Sequence, residues 1–447
     1  MDSTDVTEKT ERLKEVVSAL ISEAGQLGAS AAEAGMSMEQ GLSVTARLGE
    51  VETVERHQEQ GLGLTVYFGQ RKGSASTTDF SPDAIRETAE AACRIAKLAS
   101  EDKFSGLPDA SLLATGKLPD LNLYHPWDID AEQAIELAIE CEESARSYDA
   151  EISNSEGATV SQHQSIRVLG NSLGLLQGYP ATRHSVSCSV IGQRGDSMQR
   201  DYWYSVARDA LDLEVAVDIG RKAAERTVSR LGARSISTRN SPVLYSAEAA
   251  ASLIRNFLGG ISGGNLYRKS SFLLDSLGKQ VFPDFIRIHE QPFLPKGLGS
   301  ATFDGEGVAL RARDIVNEGV VRSYLLSSYS ARKLGMETTG NAGGVHNLTV
   351  EPGEQDLSDL LASMGSGLLV TELMGQGVNM VTGDYSRGAS GFWVENGEIQ
   401  FPVEEITIAG NLSDMLKNIV AIGKDIDLRG NIRTGSILVS EMTLAGE

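Results

Sequence analysis

Cysteine is nearly absent from this sequence, with Cys93, Cys141 and Cys188 the three in 447 residues. They are widely spaced and form no CxxC pair, which excludes a disulfide framework and a cysteine-rich zinc site. Cys93 and Cys141 sit on apolar helical faces and read as small core residues. Histidine is also scarce: there are six, and no two lie three to five positions apart. A zinc-protease helix needs two histidines on one face and a glutamate beside the first. His289-Glu290 begins such a string, but Pro292 follows and no second histidine does, so His289 reads as an exposed histidine at a strand end. No GxSxG serine elbow is present. Positive charge is in deficit as well. A net charge of −21, with basic residues only in short pairs such as Arg71-Lys72, Arg268-Lys269 and Arg332-Lys333, argues against nucleic-acid binding. There is no apolar core of a signal peptide near the N-terminus and no apolar run of bilayer length, so a cytoplasmic chain without a membrane contact is expected.

What is present reads as an α+β protein in several domains. Leu13, Val16, Val17, Leu20, Ile21 and Ala24 follow helical spacing. Leu42, Val44, Ala46 and Leu48, then Leu62, Leu64, Val66 and Phe68, alternate as strands, with a turn at Gly49-Glu50 and a short strand over 73–78. Ser81-Pro82-Asp83 opens a second helix with a cap, a proline at its first position and an acid in its first turn. A glycine- and proline-marked linker over 105–128 separates this unit, 1–104, from a second, 129–234. The second repeats the outline: a helix over 131–147, strands near 165–169, 173–179 and 185–191, and a helix over 214–231. Two helix–antiparallel-sheet–helix layers are therefore expected at the N-terminal end.

The remainder, 235–447, reads as a mainly β domain, a sandwich or a distorted barrel. After one helix come short strands near 308–312, 319–326, 367–371, 389–395, 398–404 and 436–442, with helices over 356–364 and 412–420. Asn396-Gly397 is a strong type I′ hairpin signal, and Asn317-Glu318-Gly319 a weaker one because Glu318 interrupts the pair. Gly259-Gly260-Ile261-Ser262-Gly263-Gly264 follows a helix and lacks the closing Gly-Lys-Ser/Thr of a phosphate loop, so it reads as a helix stop. Taken alone, these residues nominate no catalytic constellation.

Five strings in this half carry a resemblance. They are Tyr267-Arg268-Lys269-Ser270-Ser271-Phe272 with its continuation to Lys279, Ser328-Tyr329-Ser330-Ala331-Arg332-Lys333-Leu334-Gly335, Val370-Thr371-Glu372-Leu373-Met374-Gly375-Gln376-Gly377, Thr382-Gly383-Asp384-Tyr385-Ser386-Arg387-Gly388-Ala389, and Gly391-Phe392-Trp393-Val394-Glu395-Asn396-Gly397 with its continuation to Gln400. They resemble the TldD/PmbA metalloprotease family (also called modulators of DNA gyrase), on the PmbA/TldE side. Weaker similarity extends over nearly the whole chain. The resemblance implies a three-part architecture and a heterodimer in which the TldD type carries zinc on an HExxxH helix with a later cysteine. It also implies unfolded peptides as substrates.

Alignment of the helix after Ser246 puts the first histidine position at Arg255, the glutamate at Asn256, the second histidine at Gly260 and the third ligand at Thr434. Arginine only donates and is always cationic, asparagine takes no proton, glycine has no donor, and a threonine hydroxyl is a poor thiolate substitute. The expectation is a degenerate metal-site helix in a chain without metal, catalytically silent alone, with zinc in a TldD-type partner. Arg255 and Arg268 are the positions for a carboxylate of a peptide or of the partner. Expressed alone, such a chain can form a homodimer. Two alternatives stay open: a metallopeptidase in its own right using residues such as His184, His289 and His346, and a protein-binding factor acting on gyrase.

Overall fold

The computed structural model describes residues 3–446. Helix α1 (Ser3–Gln26) buries Leu13, Val17, Leu20 and Ala24 against a sheet, following its helical periodicity. Strands β1 (Ala31–Arg47) and β2 (Glu50–Phe68) form a hairpin longer than alternation alone indicates, turning at Leu48-Gly49 with φ of 55° and 80°. Then come β3 (Arg71–Thr77) and α2 (Pro82–Leu98), the latter capped by the Ser81 hydroxyl as expected. Past the linker the pattern recurs as α3 (Ala131–Arg146), β4 (Ile152–Asn171), β5 (Leu176–Arg194), β6 (Ser197–Ala207) and α4 (Ala216–Ser229).

The two layers share one six-stranded sheet in the order β3-β2-β1-β4-β5-β6. Its centre is β1, which pairs antiparallel with β2 on one side and β4 on the other. Even-numbered residues of β1 face the helices: Ala32, Ala34 and Met36 lie in the core with α1 and α2, and Leu42, Val44 and Ala46 in the core with α3 and α4. Odd positions from Glu33 to Thr45 are glycine, serine, threonine or glutamate, and leave the other face polar. Glu142, fully buried in α3, accepts the backbone N–H groups of Leu48 (2.7 Å) and Gly49 (2.9 Å) and so pins the hairpin tip. β6 was not legible because Gln199, Arg200 and Asp201 break its alternation.

The C-terminal part runs β7 (Arg239–Tyr245), α5 (Ala247–Gly260), α6 (Gly263–Tyr267), β8 (Ile288–Glu290), β9 (Arg313–Asn317), β10 (Val320–Val321), α7 (Ser328–Leu334), β11 (Leu348–Val350), α8 (Leu357–Met364), β12 (Gly367–Met374), β13 (Asp384–Glu395), β14 (Glu398–Asn411), α9 (Leu412–Lys417), β15 (Ile419–Ile422), β16 (Ile432–Arg433) and β17 (Ile437–Ala445). Of sandwich and barrel, a barrel forms. Strands β14, β13, β12, β7 and β17 lie side by side, and β17 closes back onto β14 through Thr407–Ala409. A second, five-stranded sheet has the order β10-β9-β8-β11-β16.

Both hairpin signals hold. Asn396-Gly397 joins β13 to β14, and Glu318-Gly319 joins β9 to β10 with φ of 51° and 71°. The second turn is fixed from outside: a Cβ at Gly319 would stand 2.2 Å from the Phe282 carbonyl oxygen, so only glycine fits. Two expected strands differ. The stretch 308–312 makes only isolated bridges, Val308 with Leu113 of the linker and Ala309 with Phe303, and of 319–326 only Val320–Val321 is a strand. The helix α7 was missed because its start signal is a serine pair, Ser327 and Ser330, forming the capping box.

Candidate functional site

Strand β7 delivers the chain to Ser246, whose hydroxyl caps α5 by accepting the Ala249 N–H at 3.4 Å. The helix buries Ala250, Leu253, Ile254, Phe257 and Leu258, the face expected from spacing, with the Phe257 ring edge-on to Phe282 at 4.8 Å. Arg255 is on the opposite, exposed face, and among the described residues no ion pair engages its guanidinium. Asn256 is half-buried, with its amide nitrogen sealed from solvent and unpartnered. Gly260 is buried against the string that begins at Tyr267. Its carbonyl accepts the Ser271 hydroxyl at 2.6 Å, and a Cβ there would stand 2.8 Å from Leu273 Cδ1 and 3.1 Å from Phe272 Cε1. Space for a larger side chain at 260 is already filled. Thr434 follows β16, which packs on α5; it is fully buried, and its hydroxyl donates to the Gly435 carbonyl at 3.0 Å. The structure thus gathers Arg255, Asn256 and Gly260 on one helix and brings the Thr434 segment beside it. Arg268 lies apart, exposed after α6, with its guanidinium over the Tyr267 ring at 5.2 Å.

The first turn of α5 is tied to the N-terminal sheet by residues that no local sequence signal marks. Glu248 accepts from Arg429 at 2.6 Å and lies 3.3 Å from Arg226. Arg429 also pairs with Asp427 and lies over the Trp203 and Tyr204 rings of β6, at 4.0 Å and 4.6 Å. Burial opposes its charge, but the two carboxylates outweigh it and push the guanidinium pKa up. Arg230, which caps the C-terminal end of α4, bridges Asp201 of β6 to Glu372 of β12. The other motif strings also close contacts between parts. Arg332 of α7 donates to the carbonyls of Phe104, at the end of the first unit, and of Gly106 and Leu107 in the linker, and the Tyr329 hydroxyl donates to Asp102 at 2.7 Å. Met380, in the loop between β12 and β13, reaches within 3.1 Å of the Cβ position of Gly259, and its carbonyl accepts the Phe272 N–H.

The histidines are dispersed. His184 is fully buried on β5, bonded to the His125 carbonyl. His289 is half-buried within β8 and pairs with Asp314 at 2.8 Å, rather than standing exposed at a strand end. His346 approaches Glu290, a buried carboxylate also held by Arg313 at 2.9 Å and Asn341 at 3.0 Å. Burial opposes ionisation of Glu290, but His346 and Arg313 prevail and hold its pKa below the usual glutamate value. Among the described residues no three histidine, cysteine, aspartate or glutamate side chains converge on a point that could hold a metal ion. Among the described residues no helix is long and apolar enough to cross a membrane.

A cavity of about 950 Å³ lies on the polar face of the N-terminal sheet and reaches Arg208, Ser300 and Gly305. Its floor comes from β1, β2 and β4: Gly35, Ser37, Gly61, Gly63 and Ser165, with Arg167, Leu169 and Tyr179 along one side and Glu39 beyond. Sequence reading missed it because its residues are spread over 270 positions, from Gly35 to Gly305, and only strand pairing brings them together.

Comparisons with known proteins place this geometry among relatives. Models described as PmbA/TldA metallopeptidase domain 1, central domain and C-terminal domain match residues 32–96, 124–231 and 238–446. A metalloprotease PmbA homolog of Haemophilus influenzae is 51% identical over 437 residues, covering 98% of this chain and 96% of that one. A metalloprotease TldD homolog of the same organism is 24% identical over 400 residues, covering 83% of this chain and 81% of its own. Among crystal structures, a Bacteroides thetaiotaomicron chain named for modulation of DNA gyrase superposes with a TM-score of 0.92 at 27% identity, covering 97% of this chain and 99% of that one. TldE from Thermococcus kodakarensis shares the fold at a TM-score of 0.82 and 21% identity, covering 96% of this chain and all of its own length, 100%.

Proposed function

The chain belongs to the PmbA/TldD metallopeptidase family, and on that premise we propose that it is a PmbA/TldE-type subunit without a zinc site, working in the cytoplasm. In this reading it completes a peptide-cutting chamber with a TldD-type partner, which holds the zinc and performs hydrolysis of unfolded peptides. The observation that carries the reading is the donor set on and beside α5. Arg255 offers a fixed positive charge where a metal would need a lone pair, Gly260 has no donor and no room for one, and the Thr434 hydroxyl is turned to a backbone carbonyl. Asn256 cannot accept a proton from a metal-bound water. These residues do not fit a zinc ion, and no step is assigned to one in this chain. The presence of both a PmbA and a TldD homolog in Haemophilus influenzae supports a division of labour between two chain types.

The test is reconstitution. The purified chain is incubated with an unstructured peptide and zinc, alone and with a TldD-type subunit carrying an intact HExxxH helix. Cleavage only in the pair, with a stoichiometric complex by size-exclusion chromatography, is expected. Tight equimolar zinc or autonomous cleavage by this chain would overturn the reading in favour of a metallopeptidase in its own right. A gyrase-directed role would instead show as capture of gyrase without any TldD-type subunit.

A further inference from the structure

The cavity on the polar face of the N-terminal sheet has features that packing does not explain. Gly61 and Gly63 lie inside β2 with negative φ, where glycine weakens a strand by about 0.5–1 kcal/mol. Neither is required by its surroundings: a Cβ at Gly63 would meet nothing within 4 Å, and at Gly61 only Ser37 Oγ at 3.9 Å. Their effect is to leave the floor flat, beside Ser37 and Gly35 of β1.

The side made by β4 and β5 carries Arg167, paired in register with Tyr179, and Arg183, paired with His163 one row beyond Ser165. Arg208 stands beside them. Its guanidinium donates to the carbonyls of Thr182 and Leu298 and has no carboxylate partner among the described residues. Burial, aided by the neighbouring Arg183, lowers its pKa. Arg167 and Arg183 are exposed and likewise unpaired among the described residues, although Arg167 lies over the Phe303 ring at 5.9 Å. Arg167 and Arg208 line the cavity, and Arg183 neighbours Arg208 just outside it; such a group without ion pairs among the described residues is unexpected in a chain of net charge −21. Glu39 of β1 lines the same groove opposite Ser165 and lies 3.5 Å from His163, with Glu59 of β2 opposite it, so the acids border the arginines from the β1–β2 side.

We propose that this groove binds an extended acidic peptide segment, its backbone over the Gly/Ser floor and its carboxylates on the Arg167–Arg183–Arg208 side. The inference rests on the reading that the chain handles unfolded peptides, and it names which peptides this subunit holds. A flat strand surface of small residues accommodates extended backbone without reading side-chain shape. The arginines then select by charge alone.

The experiment uses the full chain without a partner. Fluorescence anisotropy measures binding of a short labelled peptide alternating Asp with Gly and Ser, and of its Asn counterpart. The acidic peptide is expected to bind about tenfold more tightly, as two or more partly exposed ion pairs allow, with the preference shrinking at high salt. R167Q/R183Q should abolish the preference. G61V/G63V should abolish binding while melting at or above the wild-type temperature, because valine suits a strand. Equal affinity for the two peptides, or a preference that survives R167Q/R183Q, overturns the proposal. So does displacement by inorganic phosphate or an oligonucleotide at lower concentration than the peptide itself, which would mark a phosphate site. Failure of cleavage in the reconstituted pair, with this binding intact, would count against the two-subunit reading and not against the groove.

Discussion

Placing metal donors on α5 and at Thr434, as the proposed zinc-free reading invites, should fail at one position for a steric reason. In G260A the new Cβ meets Leu273 Cδ1 at 2.8 Å and Phe272 Cε1 at 3.1 Å. The Leu273 methyl is the end of a flexible side chain and can move, and alanine recovers about 0.5–1 kcal/mol of helix preference over glycine. A near-neutral change is therefore expected for G260A. In G260H a whole imidazole must enter space that Phe272 and Leu273 occupy. Overpacking of this kind costs about 1–3 kcal/mol, and after a helix gain of about 0.5–1 kcal/mol roughly 0–2.5 kcal/mol remains. At about 2–4 °C per kcal/mol for a domain of this size, the melting temperature should fall by up to roughly 10 °C. The assay is differential scanning calorimetry of G260A, G260H and R255H/N256E/G260H/T434C, with zinc measured by elemental analysis after dialysis. The quadruple variant should melt low and retain little zinc, and adding L273A should restore much of the stability. A quadruple variant with wild-type melting and tight equimolar zinc would refute the packing argument.

The clamp between α5 and the N-terminal sheet predicts a different signature. R429A removes the ion pairs to Glu248 and Asp427 together with the contacts to Trp203 and Tyr204. It should cost about 2–4 kcal/mol and expose the junction near Arg230 to limited proteolysis, with R429K recovering little because lysine lacks the planar fork. Unchanged proteolysis would show that the clamp is dispensable. The buried Glu290 gives a pH prediction. Its folded pKa lies below the ordinary glutamate value of 4.5, so its stabilisation is fully present above about 4.5 and is lost as pH falls through the lower folded value. E290Q, which leaves Arg313 buried without its counter-ion, should cost about 3–5 kcal/mol at neutral pH. The wild-type advantage over E290Q should then shrink below pH 4.5, and a gap that stays constant to pH 3 would contradict the assignment.

Local signals carried much of the fold. The Ser81-Pro82 helix start, the Asn396-Gly397 turn and the apolar stripe of α5 each depend on neighbours within a turn or two, so they survive in the sequence alone. The odd-numbered residues of β1 were less legible. Gly35, Ser37 and Gly41 are poor strand formers, and they become strand only because β2 and β4 bond to both edges of β1. The same holds for α7, whose serine-rich start is stabilised by its dock against the linker. Of the candidate site, Arg255, Asn256 and Gly260 were identified by resemblance on a helix that periodicity already marked. Arg429, Glu248 and Trp203 were not, since each makes sense only as one corner of a contact between distant segments.

By itself the sequence determined that this chain lacks the cysteine and histidine spacing of a self-sufficient zinc site, that it is acidic, and that its helices and hairpins alternate in an α+β order. Those are properties of residue identity and short-range spacing, and folding does not alter them. Only the tertiary structure decided that the two N-terminal layers are one sheet, that the C-terminal strands close into a barrel, and that Gly260 has no room for a donor. Only it set Arg167 and Arg208, unpaired among the described residues, beside a glycine floor. Strand pairing and side-chain packing act between residues far apart in sequence, and which partners meet depends on the free energy of the whole arrangement rather than on any one segment.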